Sequence, residues 1–355
     1  MHRPGLPLLL LFLAAAAPWP GQAQSGPPVP VIPAAPPAPS KLPEYQQATA
    51  ALRDRLPEVA IVKLRRALDS GKLKPDQALP LRLLLAEALV RADQPDQVLP
   101  LTEDPAMAPL PEARFWRAQA LARMNRWQDA ELLFASLSTL TDFKLATETV
   151  FSRAGMLAAL GEPDRASRLL VPLRSPAGTP TAQRAGLWLA ELRLSAGSPA
   201  EAEALLDEIA PPSAGKRPPE QQYLKARIAL ATPGADRAQT ADGLFAVLAA
   251  GGPEVPVRLQ QAARLGRVRA LRAQAKTDEA IPILRQILSG NPTPTPEILD
   301  AAFQELETLN HPPSAEMESF LGSLAANADP ALKIRARIAL AAALETVADS
   351  RDATT

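Results

Sequence analysis

The sequence constrains its fold most through pairs of small residues held twelve positions apart. Ala118 and Ala130 form one such pair; the same interval separates Ala48 from Ala60, Ala86 from Val98 and Ala154 from Ala166. It recurs between Ala190 and Ala202, and between Val268 and Ala280. A large apolar residue stands three places after most first members, as at Leu89, Leu121, Leu157 and Leu271. Another stands four places after most second members, as at Leu64, Phe134, Leu170, Leu206 and Leu284. Between the members lies a breaker: Asn125, Gly161, Gly197, or Asp93 with Pro95. Apolar residues at three- and four-residue steps predict helix, and a breaker between two such runs predicts a turn. Helices approach to about 8–10 Å according to the side chains at their contact, so a small residue on each lets a hairpin close. Composition agrees: 47% of residues are hydrophobic but only 4% aromatic, so Ala and Leu, good helix formers, carry the apolar content.

Second members fall at 60, 98, 130, 166, 202, about 241, 280 and about 315, a spacing of 32 to 39 residues. That period belongs to solenoids built from one supersecondary unit. The residues resemble the tetratricopeptide repeat family. The third repeat carries the likeness best, with Phe115, Trp116, Ala118, Leu121, Asn125, Trp127, Ala130 and Phe134. The seventh adds Leu271, Ala280, Leu284, Ile287 and the closing Pro292. The resemblance covers roughly residues 44 to 320. It implies an all-α, right-handed solenoid of about seven to eight hairpins over 44–348. A helix over 331–347, opened by Asp329-Pro330, would cap the last hairpin and turn Lys333, Arg335, Arg337 and Glu345 to water. The pattern departs at Arg193, an apolar position elsewhere, and at Thr232 to Ala235, which lengthen the sixth turn. The eighth repeat is degenerate, with Asn310 to Pro313 as its turn. Pro-rich connectors at 211–220 and 291–297 separate repeats; the first doubles as a candidate domain boundary, although the pattern resumes in phase at Gln221.

Residues 1–23 read as an export signal: Arg3 supplies the positive start, Leu6 to Ala17 the apolar run, and Gly21-Gln22-Ala23 a small-x-small cleavage site. The apolar run is shorter than the ~20 residues a permanent span needs. Eight of residues 27–43 are Pro, so 24–43 is expected to be a polyproline-like spacer, with about 3.1 Å per residue of reach. Residues 349–355 read as a disordered tail. The chain has no Cys, which excludes a disulfide framework and a lipidated cysteine. A periplasmic or secreted bacterial protein without a membrane span is the expectation.

The 38 basic and 38 acidic residues balance, which removes the electrostatic footprint of a nucleic-acid binder. Outside the leader the chain has one His, His311, beside two prolines. No nucleophile–His motif or metal spacing accompanies it, so neither catalytic residues, cofactor nor metal is expected. The stretch SAGKRP lacks the Gly spacing and the Ser or Thr of a phosphate loop. Glu201/Glu203 and Glu305/Glu307 sit two apart on helices and read as solvated surface.

Three residues before each first small residue come Tyr45, Leu83, Phe115, Phe151, Leu187, Tyr223 and Leu265. The resemblance implies that first helices line a concave groove, which would make these an apolar stripe along it. Contact with a partner and packing between first helices both remain open. Five residues after the first small residue stand Arg53, Arg91 and Arg123 in three consecutive repeats. A guanidinium fork matches a carboxylate, so this row suits an acidic or extended peptide segment; a solvated basic edge is the plainer alternative. The resemblance implies a non-enzymatic scaffold that binds another envelope protein. Two alternatives are a subunit of an envelope secretion or polysaccharide-export assembly, and a helical arm of a cell-wall enzyme.

Overall fold

The computed structural model describes residues 42–140, 142–209, 217–290, 294–309, 315–327 and 333–341. The leader and spacer before residue 42, His311, Glu345, the tail and residues 213–216 of SAGKRP lie outside these. The described residues form helices and turns, without a strand. They build an all-α solenoid of successive packed helix pairs.

The chain divides into two compact units, residues 1–188 and 189–355, and the division falls inside a helix rather than at the Pro-rich 211–220 connector. The first unit holds α1 (Pro43–Arg53), α2 (Pro57–Asp69), α3 (Pro75–Arg91), α4 (Val98–Glu103), α5 (Pro111–Arg123), α6 (Trp127–Leu137), α7 (Ala146–Ala159) and α8 (Pro163–Leu170). It ends within α9 (Pro180–Ser195). The second unit holds the rest of α9, then α10 (Pro199–Glu208), α11 (Pro219–Ala231), α12 (Ala235–Ala250), α13 (Val257–Ala273), α14 (Thr277–Leu288), α15 (Pro296–Leu309) and α16 (Ala315–Asn327). A last helix, α17, covers 333–341. Nine of the described helices begin on Pro. Proline there gives up an N–H that would be unpaired anyway and presets φ for the helix. Much of the proline content is therefore helix-starting chemistry.

α1 packs on α2, α3 on α4, α5 on α6, α7 on α8, α11 on α12 and α13 on α14. Successive first helices also touch, as α1 with α3, α3 with α5 and α5 with α7, and in the second unit α11 with α13 and α13 with α15. The small pairs sit at the centre of this packing. All twelve residues of the six pairs are fully buried at 0% exposure, and Leu64, Phe134, Leu170, Leu284 and Leu271 beside them are equally closed off. The sixth hairpin keeps the device with a longer interval, using Ala226 and Ala241, both fully buried.

The twelve-residue interval has a backbone cause. Seven places after each first small residue the chain turns left-handed: Arg55, Asp93, Asn125, Gly161, Gly197 and Ala275 all have φ between 56° and 82°. In the third hairpin the Arg126 N–H then donates to the Leu121 carbonyl at 2.9 Å, and the Asn125 N–H to that of Ala122 at 3.1 Å. These are the two bonds of a Schellman closure, which satisfies the last carbonyls of the helix. The Arg126 carbonyl in turn accepts from the Ala130 N–H at 3.1 Å, opening the second helix. One residue thus closes one helix and starts the next. Leu56, Glu162, Ser198 and Lys276 do the same in their own hairpins. In these five hairpins the second small residue is the donor of that first bond, which fixes its distance from the first; in the second hairpin the Gln94 carbonyl accepts instead from the Gln97 N–H at 3.3 Å, within a short turn before α4.

Two of these left-handed positions, Arg55 and Ala275, carry side chains that resist the conformation, and neither stood out in the sequence as a breaker. A left-handed non-glycine residue costs roughly 1–2 kcal/mol, so Ala275→Gly is expected to stabilise the protein by about 1 kcal/mol. The check is a higher urea midpoint at unchanged helical circular dichroism. The opposite change is costly where backbones are closest. A Cβ added at Gly266 of α13 would lie 2.6 Å from Cε1 and Cζ of Phe245, a fully buried ring on α12. Gly266→Ala is expected to lower stability by about 1–3 kcal/mol through overpacking, seen as a lower midpoint in the same titration.

Candidate functional site

The residues singled out from the sequence occupy one helical stripe. Positions three before, one after and five after the first small residue are spaced four apart, so they stack on one face. On α1 they are Tyr45, Thr49 and Arg53; on α3, Leu83, Glu87 and Arg91; on α5, Phe115, Gln119 and Arg123. Exposure climbs along this stripe. Phe115, Phe151, Tyr223 and Leu265 are buried at 1–6%, while Tyr45, Leu83 and Leu187 are half-buried. Phe115 packs edge-on against Phe134 and Phe143, and Phe151 lies against Trp188 with Arg184 over its other flank. These four rings and side chains are core, and the surface of the stripe belongs to the residues above them.

The arginine row is accessible but not unaccompanied. Arg53 lies 3.6 Å from Asp54, with both side chains more than half exposed. Arg91 pairs with Glu87 and also donates to the Leu52 carbonyl of α1 at 3.5 Å. Arg123 pairs with Asp93 at 3.1 Å across the neighbouring turn. The Arg53–Asp54 pair is exposed and contributes little, on the order of 0–1 kcal/mol, so a partner carboxylate displaces it cheaply, whereas Glu87 is largely covered and depends on Arg91. Each arginine also sits in the last turn of its helix, where a cation favours the dipole.

A polar ladder joins successive first helices. Gln119 of α5 donates to the Ser152 hydroxyl of α7 at 2.7 Å. Arg184 of α9 donates to Glu148 of α7 at 2.7 Å. In the second unit Arg227 of α11 donates to Glu191 of α9, a carboxylate only 5% exposed. Arg269 of α13 donates through Nε to Glu305 of α15 at 2.7 Å, and Arg272 lies 2.9 Å from the other Glu305 oxygen. Glu305 is 6% exposed, which corrects its reading as solvated surface: two guanidiniums converge on it and make burial tolerable. Glu203 is likewise gripped, by both terminal nitrogens of Arg237, and Glu201 pairs with Arg193. A second set of pairs ties first helices to the preceding second helix: Arg117 to Glu103, Arg153 to Glu131 and Arg267 to Asp242. Arg335 of α17 pairs with Asp300 instead of simply facing water. The ladder residues were missed in the sequence, yet a signal was there. Glu148/Arg184, Glu191/Arg227 and Arg269/Glu305 are opposite charges 36 apart, one repeat period.

Burial shapes the electrostatics. It raises the Tyr223 hydroxyl against the pull of Arg227 and Arg269, with Glu191 pushing the same way as burial. Burial also raises the Glu87 carboxyl, opposed by its pairing with Arg91, and raises the Tyr45 phenol with help from Glu87. Among the described residues no three His, Cys, Asp or Glu side chains gather as a metal-binding group, and no helix is long and apolar enough to cross a membrane.

The arrangement of successive packed helix pairs has a counterpart among solved structures. The fold is tetratricopeptide-like. The crystal structure of the APC/C hetero-tetramer Cut9–Hcn1 is similar to it at a TM-score of 0.51, over 86% of this chain and with 16% identity. The chain spans 57% of the length of the chain it matches there. No protein-family profile and no curated protein matches the sequence.

A carboxyl whose folded-state value is raised binds its proton more readily in the fold than in the unfolded chain. Its contribution to stability is therefore present at low pH and lost as pH rises through the raised value. Glu87→Gln removes that dependence. The stability difference between wild type and Glu87→Gln is expected to move in favour of wild type as pH falls from 7 towards 4, measured by urea unfolding of both proteins at each pH.

Proposed function

We propose that this protein is a non-enzymatic scaffold that docks a protein partner along the wall made by its first helices. The carrying observation is the repeated position of Arg53, Arg91 and Arg123 at the ends of three successive first helices, each at least partly accessible. Preformed guanidinium forks at the repeat spacing suit an extended segment bearing carboxylates, and a wall already ordered by folding lowers the entropy cost of binding. Half-buried Tyr45 and Leu83 beside the row supply apolar contact. The similar solved structure comes from a hetero-tetrameric assembly, which fits a fold used for assembly.

The leader-like residues 1–23 and the Pro-rich 24–43 support export, with the spacer holding the helical region of 44–348 away from its point of attachment or exit. The partner is then another envelope protein. The test is in-cell photo-crosslinking from Thr49 and Arg53, both exposed, with the captured protein identified. In a background carrying Arg91→Glu and Arg123→Glu, capture is expected to disappear while helical circular dichroism stays unchanged. Undiminished capture by the correctly folded double variant overturns this docking wall.

A further inference from the structure

The last described helix has two unlike sides. α17 buries Ala336 at 0% exposure and Ala339 at 6%, and Arg335 beside them pairs with Asp300 of α15 at 2.7 Å. On the other side Ile334 and Ile338 stand 60% and 61% exposed, and Ala341 is open as well. These three are spaced four and three apart, which places them on one helical stripe, bordered by exposed Arg337. The first described helix is finished differently: α1 turns Gln46, Gln47, Thr49 and Arg53 to water. A solenoid end stays soluble through a polar outer face; α1 supplies one and α17 does not. A second exposed apolar pair, Val59 and Val62 of α2, shares its face with Glu58, Arg66 and Asp69. On α17, residues 333–341 hold three cations, Lys333, Arg335 and Arg337, and no acid.

We infer that this stripe of α17 docks an amphipathic helix of another protein, one whose apolar ridge is bordered by carboxylates. The shape of the stripe selects a helix. It is a straight ridge of side chains that a second helix meets ridge into groove, and exposed Ala341 lets the two come close. Among the described residues there is no sheet edge to which an extended segment could add. Charge selects the borders. The cations of α17 are of one sign, so carboxylates along the incoming helix pair with Lys333 and Arg337. A second copy of this chain fits poorly, because two α17 helices laid together bring like cations into contact with no acid within 333–341. An anionic bilayer also fits poorly, since α15, tied to α17 through Asp300, exposes Glu297, Asp300 and Glu307. The site is separate from the arginine row of the first unit, and neither reading depends on the other.

The test uses the full chain, labelled at its Ile δ1 methyl groups for NMR, and two blocked amphipathic peptides. Each is about five helical turns long, with Leu along one face at four- and three-residue steps. One carries Glu along both borders of that face, the other Lys. Ile334→Leu and Ile338→Leu assign the two methyl signals. The Glu peptide is expected to shift both signals saturably, with an affinity that falls as salt rises, while the Lys peptide leaves them still. Ile334→Ser together with Ile338→Ser is expected to weaken binding by about tenfold or more at unchanged helical circular dichroism. Arg337→Glu, which leaves the apolar ridge intact, is expected to lower affinity for the Glu peptide and raise it for the Lys peptide. Should the double Ser variant lose its helical signal, that exchange of preference decides alone. No saturable shift with the Glu peptide, or an equal response to the Lys peptide, overturns the site. Two further results also overturn it: a wild-type dimer in light scattering that the double Ser variant abolishes, and methyl shifts with phosphatidylglycerol vesicles but none with the Glu peptide.

Discussion

Everything in this structure depends on how two helices close over a pair of small side chains. Van der Waals contact between backbones requires that neither residue at the crossing be larger than Ala or Val, and the backbone must reverse without wasting residues. The left-handed turn meets the second requirement. Its Schellman bonds satisfy the end of one helix, and the next residue's carbonyl opens the following one. In the five hairpins where one residue serves both helices, that sharing holds the small residues twelve apart, and slippage by one would carry a larger, mostly charged or polar residue such as Gln119 or Glu131 into the crossing. The turn chemistry is loose by comparison. Gly, Asn, Asp, Arg and Ala all occupy the left-handed position. Packing decides the geometry, and the turn residue pays when it is not glycine.

This hierarchy explains which parts of the molecule were legible from sequence. The small pairs and their apolar neighbours are read directly, since 0% exposure at all twelve positions leaves evolution little alternative in size. Arg55 and Ala275 were illegible as breakers because tertiary packing overrides local preference there. The helix-starting prolines were legible only as punctuation; their place at the first residue of nine helices needs the structure. In the lengthened sixth hairpin the interval is broken by Thr232 to Ala235, yet Ala226 and Ala241 are still fully buried. There the spatial rule survives and the sequence rule does not.

The site was legible in outline and misjudged in depth. Spacing by four places Tyr45, Thr49 and Arg53, or Tyr223, Arg227 and Ala231, on one face, but it says nothing about how far each end is from solvent. Phe134 and Phe143 cover Phe115, and Trp188 with Arg184 covers Phe151, so both rings go to the core. Glu305 shows the converse error. Two residues from Glu307 on the same helix, it looks like surface until the arginines of α13 arrive, 36 and 33 residues earlier in sequence. Searching for opposite charges at the repeat period would have found it.

The same ladder bears on why arginine rather than lysine recurs along the first helices. A rung joins groups on helices whose separation is set by the small-residue crossings, so the linking side chain must span a fixed gap and still leave donors over. Lysine offers three donors on one rotating ammonium and no fixed plane. Arginine reaches the carboxylate with a planar fork, as Arg269 does through Nε on Glu305. The bond to Glu305 fixes the plane of the Arg269 guanidinium, and Arg272, 2.9 Å from the other carboxylate oxygen, grips the same acid from a second side, so the α13–α15 contact is set in orientation as well as in distance.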